Sequence, residues 1–364
     1  MNLKNTTMEE FIKNIGDKDI VCYGAGKLFE DMFITMEEAF LNKITAVFDS
    51  KPQGEYITIG KYKISCNSPS KLTKINSDKN VILITSMHCY TIYMKLKEYL
   101  ANDNIDCYVY VIMSLTTNKS KCFKGKNDFS EQKIPKKIHY CWFGEGDMPE
   151  KNKRCIESWK RTCPEYEIVR WDESNYDWTK NKYMKQAYES KKWGFVPDYA
   201  RLDIVYSNGG IYLDTDVELI KKPDELLIYD GYMGFQRNFW IALGLGFGAK
   251  KENLLIRQLR DYYNEIDFID EHGMINLKAA PYYQTMFLKE KGIKCNNMLQ
   301  MYKDNLILST DYLDPLGYKN GRLHITDNTI SIHHYDESWI DSNLKNKQMY
   351  DEIDKMYDYM GILH

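Results

Sequence analysis

Apolar and polar positions follow two rhythms along the first 117 residues. DIVCY, KITAVF, VILIT and CYVYV are short apolar runs of strand length, and between them lie stretches such as KLFEDMFITMEEAF whose apolar residues recur at helical spacing. Strands alternating with helices predict a parallel sheet covered by helices. Residues 116–133, TTNKSKCFKGKNDFSEQK, lose both rhythms and read as a polar linker. The pattern resumes with IPKKIHYCWFG and continues to about Trp339. At the end, Met349, Tyr350, Ile353, Met356, Tyr357 and Met360 share one helical face. The expected organisation is therefore an N-terminal parallel-sheet domain over residues 1–117, a linker over 118–133, a second α/β domain over 134–345, and an amphipathic helix over 346–364 expected to dock on the second domain.

The first domain is expected to be Rossmann-like. DIVCY is followed by Gly24-Ala25-Gly26, an amphipathic stretch and a second strand ending at Asp49, near the spacing at which an acidic residue meets a ribose. Phe29 stands where the dinucleotide fingerprint has its third glycine. The loop is read first as a tight strand-to-helix turn, and only second as a nucleotide or nucleotide-sugar site.

Composition narrows the function classes. The 364 residues suffice for two cores, and the 28% charged share describes a globular chain. No apolar run reaches the roughly 18 residues of a membrane span, and the amino terminus is acidic where a secretory signal is apolar. A cytoplasmic location is expected, with peripheral contact at the inner face of the plasma membrane as a variant. A net charge of -3 with dispersed lysines argues against a nucleic-acid partner. The nine cysteines form no CxxC pair and read as reduced thiols, mostly in the core.

The chemistry concentrates in FVPDYARLDIVYSNGGIYLDTDVE. Pro197 suits the first turn of a helix and Asn208-Gly209-Gly210 its end, so Asp198 and Arg201 share a face of that helix. Ile211-Tyr212-Leu213 reads as a buried strand that releases Asp214 and Asp216 into a loop. Two carboxylates at the carboxyl end of a strand suit a hard divalent cation. Asp-x-Asp alone is common in solvated turns; the strand, the double glycine and the Asp/Arg pair raise its weight.

With IPKKIHYCWFG before it, PEKNKRCIESWKRTCPEYEIVRWDE between, and HHYDESW near the end, this combination resembles the DXD glycosyltransferases of family 32, which include initiating mannosyltransferases and capsular polysaccharide enzymes. Large clostridial glucosylating toxins are a more distant likeness. The resemblance covers residues 134 to about 339. It departs at AAPYYQT, where Ala280 replaces an expected glycine. It implies a GT-A fold in the second domain, a nucleotide-diphosphate sugar donor, UDP-hexose being the commonest, and retention of anomeric configuration.

By that resemblance Asp216 ligates Mn²⁺ or Mg²⁺ directly, and Asp214 reaches the ribose, the sugar or the metal. Strand alternation lets one of His333 and His334 face the site, and His334 is preferred as the third ligand. Trp142 is expected to stack on the base, Ser338 and Trp339 to hold the diphosphate, Arg201 to meet the diphosphate or sugar, Asp198 the sugar hydroxyls, and Tyr212 to divide between packing and site. The acceptor is expected to be a saccharide or lipid-linked oligosaccharide of a capsule or O-antigen type polysaccharide; the oligomeric state stays open. Since the matching motifs all follow the linker, a chain beginning near Ser130 is expected to fold alone. Other readings are a phosphatase of the haloacid dehalogenase type, for which Glu218 stands in place of Thr or Val and no later acidic motif follows, a nucleotide-sugar dehydrogenase or epimerase on the first domain, and a nucleotide-sugar binding scaffold.

Overall fold

The computed structural model describes residues 1–100, 104–116, 132–144, 146–315, 325–335 and 347–361, the side chains of Thr73, Lys74 and residues 347–350 excepted. Most of the expected linker lies outside these residues, as do Ser338 and Trp339. Two seven-stranded sheets and one two-stranded sheet organise the described residues into a mixed α/β fold rich in parallel pairs.

The first sheet is built from β1 (Asn2–Leu3), β2 (Asp19–Tyr23), β3 (Ile44–Phe48), β4 (Tyr56–Ile59), β5 (Tyr62–Asn67), β6 (Asn80–Ile84) and β7 (Asp106–Val109), in the order β1-β7-β6-β2-β3-β5-β4. All neighbours are parallel except the β4–β5 hairpin pair. Helices α1 (Met8–Ile15), α2 (Lys27–Thr35), α3 (Glu38–Leu41), α4 (Cys89–Tyr99) and α5 (Tyr110–Leu115) connect or follow these strands. The start of α1 is a capping box: Glu10 N donates to Thr7 Oγ1 at 3.2 Å, and Thr7 N donates back to Glu10 Oε2 at 3.0 Å. The β2–α2 turn is tight because Gly24, at φ +106°, abuts the end of β6; a Cβ there would lie 2.8 Å from that of Ser86. Asp49 serves that turn too, its two carboxylate oxygens accepting from Ala25 N and Lys51 N, each at 2.9 Å.

The second sheet contains β8 (Lys137–Cys141), β9 (Glu167–Trp171), β10 (Gly210–Tyr212), β12 (Gly231–Gly234), β13 (Phe247–Ala249), β14 (Gln300–Tyr302) and β15 (Asn305–Leu308); β11 (Val217–Leu219) and β16 (Ser331–His333) form the small sheet. Its order is β14-β15-β12-β13-β10-β8-β9, with β8–β9, β8–β10 and β12–β15 parallel. Helices α6 (Glu150–Thr162), α7 (Lys182–Glu189), α8 (Pro197–Asn208), α9 (Leu254–Tyr262), α10 (Ala280–Glu290) and α11 (Thr310–Leu313) accompany it, and α12 (Lys347–Met360) follows at the end of the described chain. Among the described residues, no helix is long and apolar enough to cross a membrane. The eight described cysteines are buried and form no disulfide with one another.

Two expectations require correction. Helix α12 docks on the first segment: Glu352 accepts from Thr91 N at 2.7 Å and Thr91 Oγ1 at 2.9 Å at the start of α4, while Ile353 and Met356 are buried. Its apolar face was legible, but the surface it covers was not. The second segment also does not pack as an independent body. One apolar cluster runs from Phe29 and Tyr110 to Phe239 and Phe287, and the Lys289 ammonium on α10 donates to Ile34 O at 2.7 Å and to Met36 O, satisfying carbonyls at the end of α2. Removing the first 129 residues would bare this shared core.

Candidate functional site

Helix α8 begins with Pro197 and ends where Gly209 and Gly210 adopt φ of +68° and +106°. The left-handed turn reverses the chain directly into β10, parallel to β8. His139 on β8 holds the turn: Trp171 Nε1 donates to its Nδ1 at 3.1 Å, and its Nε2 meets Gly209 O at 2.9 Å. The ring is therefore the neutral Nε2–H tautomer, in keeping with burial, which lowers its pKa. Strand β10 then delivers Asp214, Thr215 and Asp216. Asn152 on α6 donates to Thr215 Oγ1 at 2.9 Å and anchors the middle of that loop.

Asp214, Asp216 and His333 each place one ligand atom within 4.8 Å of the other two. His333 Nε2 lies 3.2 Å from Asp216 Oδ1. Antiparallel pairing sets Val217 opposite His333, and His334 N donates to Asp216 O at 3.0 Å. The preference for His334 is thereby overturned: alternation turns its ring away, to Glu218 Oε2 at 3.0 Å. Burial alone would depress the His333 pKa, but Asp216 and Asp214 lift it above the ordinary imidazole value. Burial raises that of Asp214, with Arg201 opposing and Asp216 reinforcing. Two carboxylates and one imidazole suit a divalent ion of the Mn²⁺ type, and the repulsion between the acids is what such an ion would relieve.

Beneath this cluster lies a buried ion network. Arg201 donates to Asp198 Oδ1 through Nη2 and to Pro197 O through Nε at 3.0 Å, and its Nη1 is 3.5 Å from Asp214 Oδ1. Tyr183 OH donates to Asp198 Oδ2 at 3.0 Å. Burial pushes the Asp198 carboxyl up to about 6, against the pull of Arg201 and Tyr183. The Arg201 guanidinium stays charged, because Asp214 and Asp198 outweigh its burial. Tyr212 is wholly buried, with the guanidinium carbon of Arg201 5.4 Å from its ring centre. Trp142 stands apart from this network: half-buried, it donates its indole N–H to Gly146 O at 2.9 Å beyond the end of β8.

Three contributors were not visible in the sequence pattern. Tyr183 comes from α7. Gly244 accepts from Asp214 N at 3.3 Å, and its missing side chain makes room for the Asp214 carboxylate. Gln284 on α10 is fully buried and accepts from Leu243 N at 2.9 Å, next to Gly244. Only the last carried a signal, as a polar residue in an apolar helix stretch.

The arrangement is that of an α/β protein with an Asp/Asp/His cluster able to hold a cation. Residues 149–232, from the start of α6 into β12, match the family model of the glycosyltransferase sugar-binding region containing a DXD motif. The chain is similar to Subversion of eukaryotic traffic protein A of Legionella pneumophila, 28% identical over 131 residues (28% of this chain, 20% of that protein). It is likewise similar to inositol phosphoceramide mannosyltransferase 3 of Schizosaccharomyces pombe, 36% identical over 112 residues (28% of this chain, 29% of that protein). The matched stretch thus covers under a third of either relative. Among solved structures, the PaToxG glycosyltransferase aligns at TM-score 0.35 and 18% identity, covering 44% of this chain and 71% of that one. A glycosyltransferase involved in glycosylation of the major capsid of PBCV-1 aligns at TM-score 0.31 and 13% identity, covering 60% and 98%. Asp214 and Asp216, two of the three residues placed to hold a cation, both lie within the stretch that matches that family model.

Proposed function

We propose that the protein is a metal-dependent, retaining glycosyltransferase that moves a hexose from a nucleotide-diphosphate donor, UDP-linked in the first instance, to a saccharide acceptor. The observation that carries this reading is the convergence of Asp214 and Asp216, at the end of β10 and within the matched region, with His333 of β16, close to the buried Arg201. In this reading the first sheet is a Rossmann-like domain and the second a GT-A type domain.

Asp214, Asp216 and His333 would hold Mn²⁺ or Mg²⁺, which as a Lewis acid offsets the charge that grows on the leaving diphosphate. Arg201, fixed by Asp198, adds a positive charge beneath the same oxygens. Asp198, with Tyr183, is assigned the sugar hydroxyls, and Trp142, Ser338 and Trp339 the base and diphosphate. Transfer is assigned to front-face displacement. The acceptor oxygen bonds to the anomeric carbon as the bond to the phosphate oxygen breaks, and the acceptor proton passes to that departing phosphate. The Schizosaccharomyces pombe relative is named as a mannosyltransferase, so GDP-mannose belongs in any donor panel beside UDP-sugars. A lipid-linked oligosaccharide acceptor and a cytoplasmic, membrane-peripheral site of action complete the proposal.

A thermal-shift panel of nucleotide sugars with and without Mn²⁺ tests it. One nucleotide sugar raising the melting midpoint only when Mn²⁺ is present is the expected result. Stabilisation by nucleotide sugars that ignores Mn²⁺, or by none of them, would overturn it.

A further inference from the structure

The loop after β12 contains a pair of conformations that proteins seldom tolerate. Asn238 and Phe239 are consecutive non-glycine residues at φ +60° and +62°. A bulky side chain in the left-handed region is strained and persists only where its surroundings over-determine it. Here the surroundings belong to the first segment. The ring of Tyr110, on α5, meets that of Phe239 edge-on at 5.4 Å, and both are fully buried. Tyr110 is itself pinned by a 3.0 Å bond between its hydroxyl and Thr35 Oγ1.

What this loop presents is Arg237. Its guanidinium carbon lies 4.0 Å from the ring centre of Tyr335, and that ring stands edge-on to His333 at 4.2 Å. The stack Arg237–Tyr335–His333 thus backs the imidazole whose other side faces Asp216. A second arm from α5 reaches the same place. Asn297 Nδ2 donates to Ser114 O and to Thr310 Oγ1, each at 3.0 Å, while Thr310 N donates to Asn297 Oδ1 at 2.8 Å. Thr310 begins α11, at whose end Asp314 Oδ2 accepts from Arg237 N at 3.2 Å. Tyr312 O, on the same helix, accepts from Ile330 N at 2.8 Å, at the entry to β16 and His333.

We infer that the first segment is a built-in part of the cation pocket. Helix α5 holds the Asn238–Phe239 loop on one side and α11 on the other, and Arg237 is a positioning residue that fixes His333 through Tyr335. The inference rests on the reading of Asp214, Asp216 and His333 as metal ligands, but not on the identity of donor or acceptor. Partners that orient a ligating imidazole are worth roughly 10–100-fold in metal affinity, whereas a contact that merely braces the fold changes melting without changing the affinity of the folded protein.

The test is Mn²⁺ binding to the full chain, by calorimetry and by electron paramagnetic resonance of free Mn²⁺, with the metal-free melting midpoint recorded in parallel. Arg237→Gln is expected to raise the Mn²⁺ Kd roughly tenfold and Phe239→Leu severalfold, in protein that is still folded. Glu352→Ala, which removes the bonds to Thr91 on α4, is expected to lower the midpoint with Kd unchanged. Wild-type binding with the same Kd in Arg237→Gln and Phe239→Leu overturns the inference and leaves the metal centre standing. A wild-type chain that binds no Mn²⁺ overturns the metal centre itself, and this inference with it.

Discussion

Gly244→Ala isolates the packing of the cation pocket from its chemistry, because it adds one methyl group and removes no ligand. A Cβ built on Gly244 overlaps Asp214 Oδ2 and lies 3.1 Å from Arg201 Nη1. Arg201 has little room to yield, being 5% exposed and bonded to Asp198 and Pro197 O. The Asp214 carboxylate must therefore shift by about 1 Å to reach ordinary contact, a displacement for which losses on the order of 100-fold in rate are typical of catalytic groups. Overpacking of this kind also costs about 1–3 kcal/mol of stability. Calorimetric Mn²⁺ binding and turnover of a nucleotide sugar, measured on protein with native far-UV dichroism, provide the assay. The expected result is a weakened Mn²⁺ affinity together with turnover reduced by one to two orders of magnitude. Wild-type affinity and turnover in Gly244→Ala would refute the argument that this glycine shapes the pocket.

His333→Ala is expected to weaken Mn²⁺ binding at least tenfold, while His334→Ala, which removes only the contact with Glu218, leaves it within about twofold; calorimetry on both variants decides. The raised pKa of His333 fixes a sign for pH. In the metal-free protein its stabilising contribution is complete below about 6.5 and is lost as pH rises through the higher folded value, whereas Mn²⁺ must displace that proton and so binds more tightly as pH rises. Melting midpoints and Mn²⁺ titrations across pH 5.5–8.5 should show the two opposite slopes. Arg201→Met leaves Asp198 and Asp214 without their common cation, and denaturant titration should show a loss of about 3–5 kcal/mol. Asn152→Ala frees Thr215 and is expected to weaken Mn²⁺ binding severalfold with a smaller change in midpoint.

The elements that bear the two acids were legible because the chain punctuates them locally. Pro197 and the Asn208-Gly209-Gly210 run mark both ends of α8, observed as Pro197–Asn208, and the short apolar run behind them becomes β10. The histidine could not be chosen that way. Alternation establishes that His333 and His334 face opposite sides, but the register of β16 on β11, Val217 against His333, decides which side meets Asp216. Tyr183 and Gly244 were invisible for the same reason: each reaches the site through tertiary packing, with no local spacing to betray it. Helix α12 shows the limit in another form, since its apolar face was evident while α4 as its partner was not. A linker-like composition likewise says nothing of the core that Phe29, Tyr110, Phe239 and Phe287 share across it.

Hydrolysis of a UDP-sugar or GDP-mannose by the 364-residue chain, followed as released nucleotide diphosphate with Mn²⁺, with excess EDTA, and in Asp216→Ala, tests the central claim most directly. The account predicts slow, Mn²⁺-dependent release that EDTA abolishes and that Asp216→Ala lacks while keeping the wild-type fold. Release at the wild-type rate in EDTA or in Asp216→Ala would contradict it.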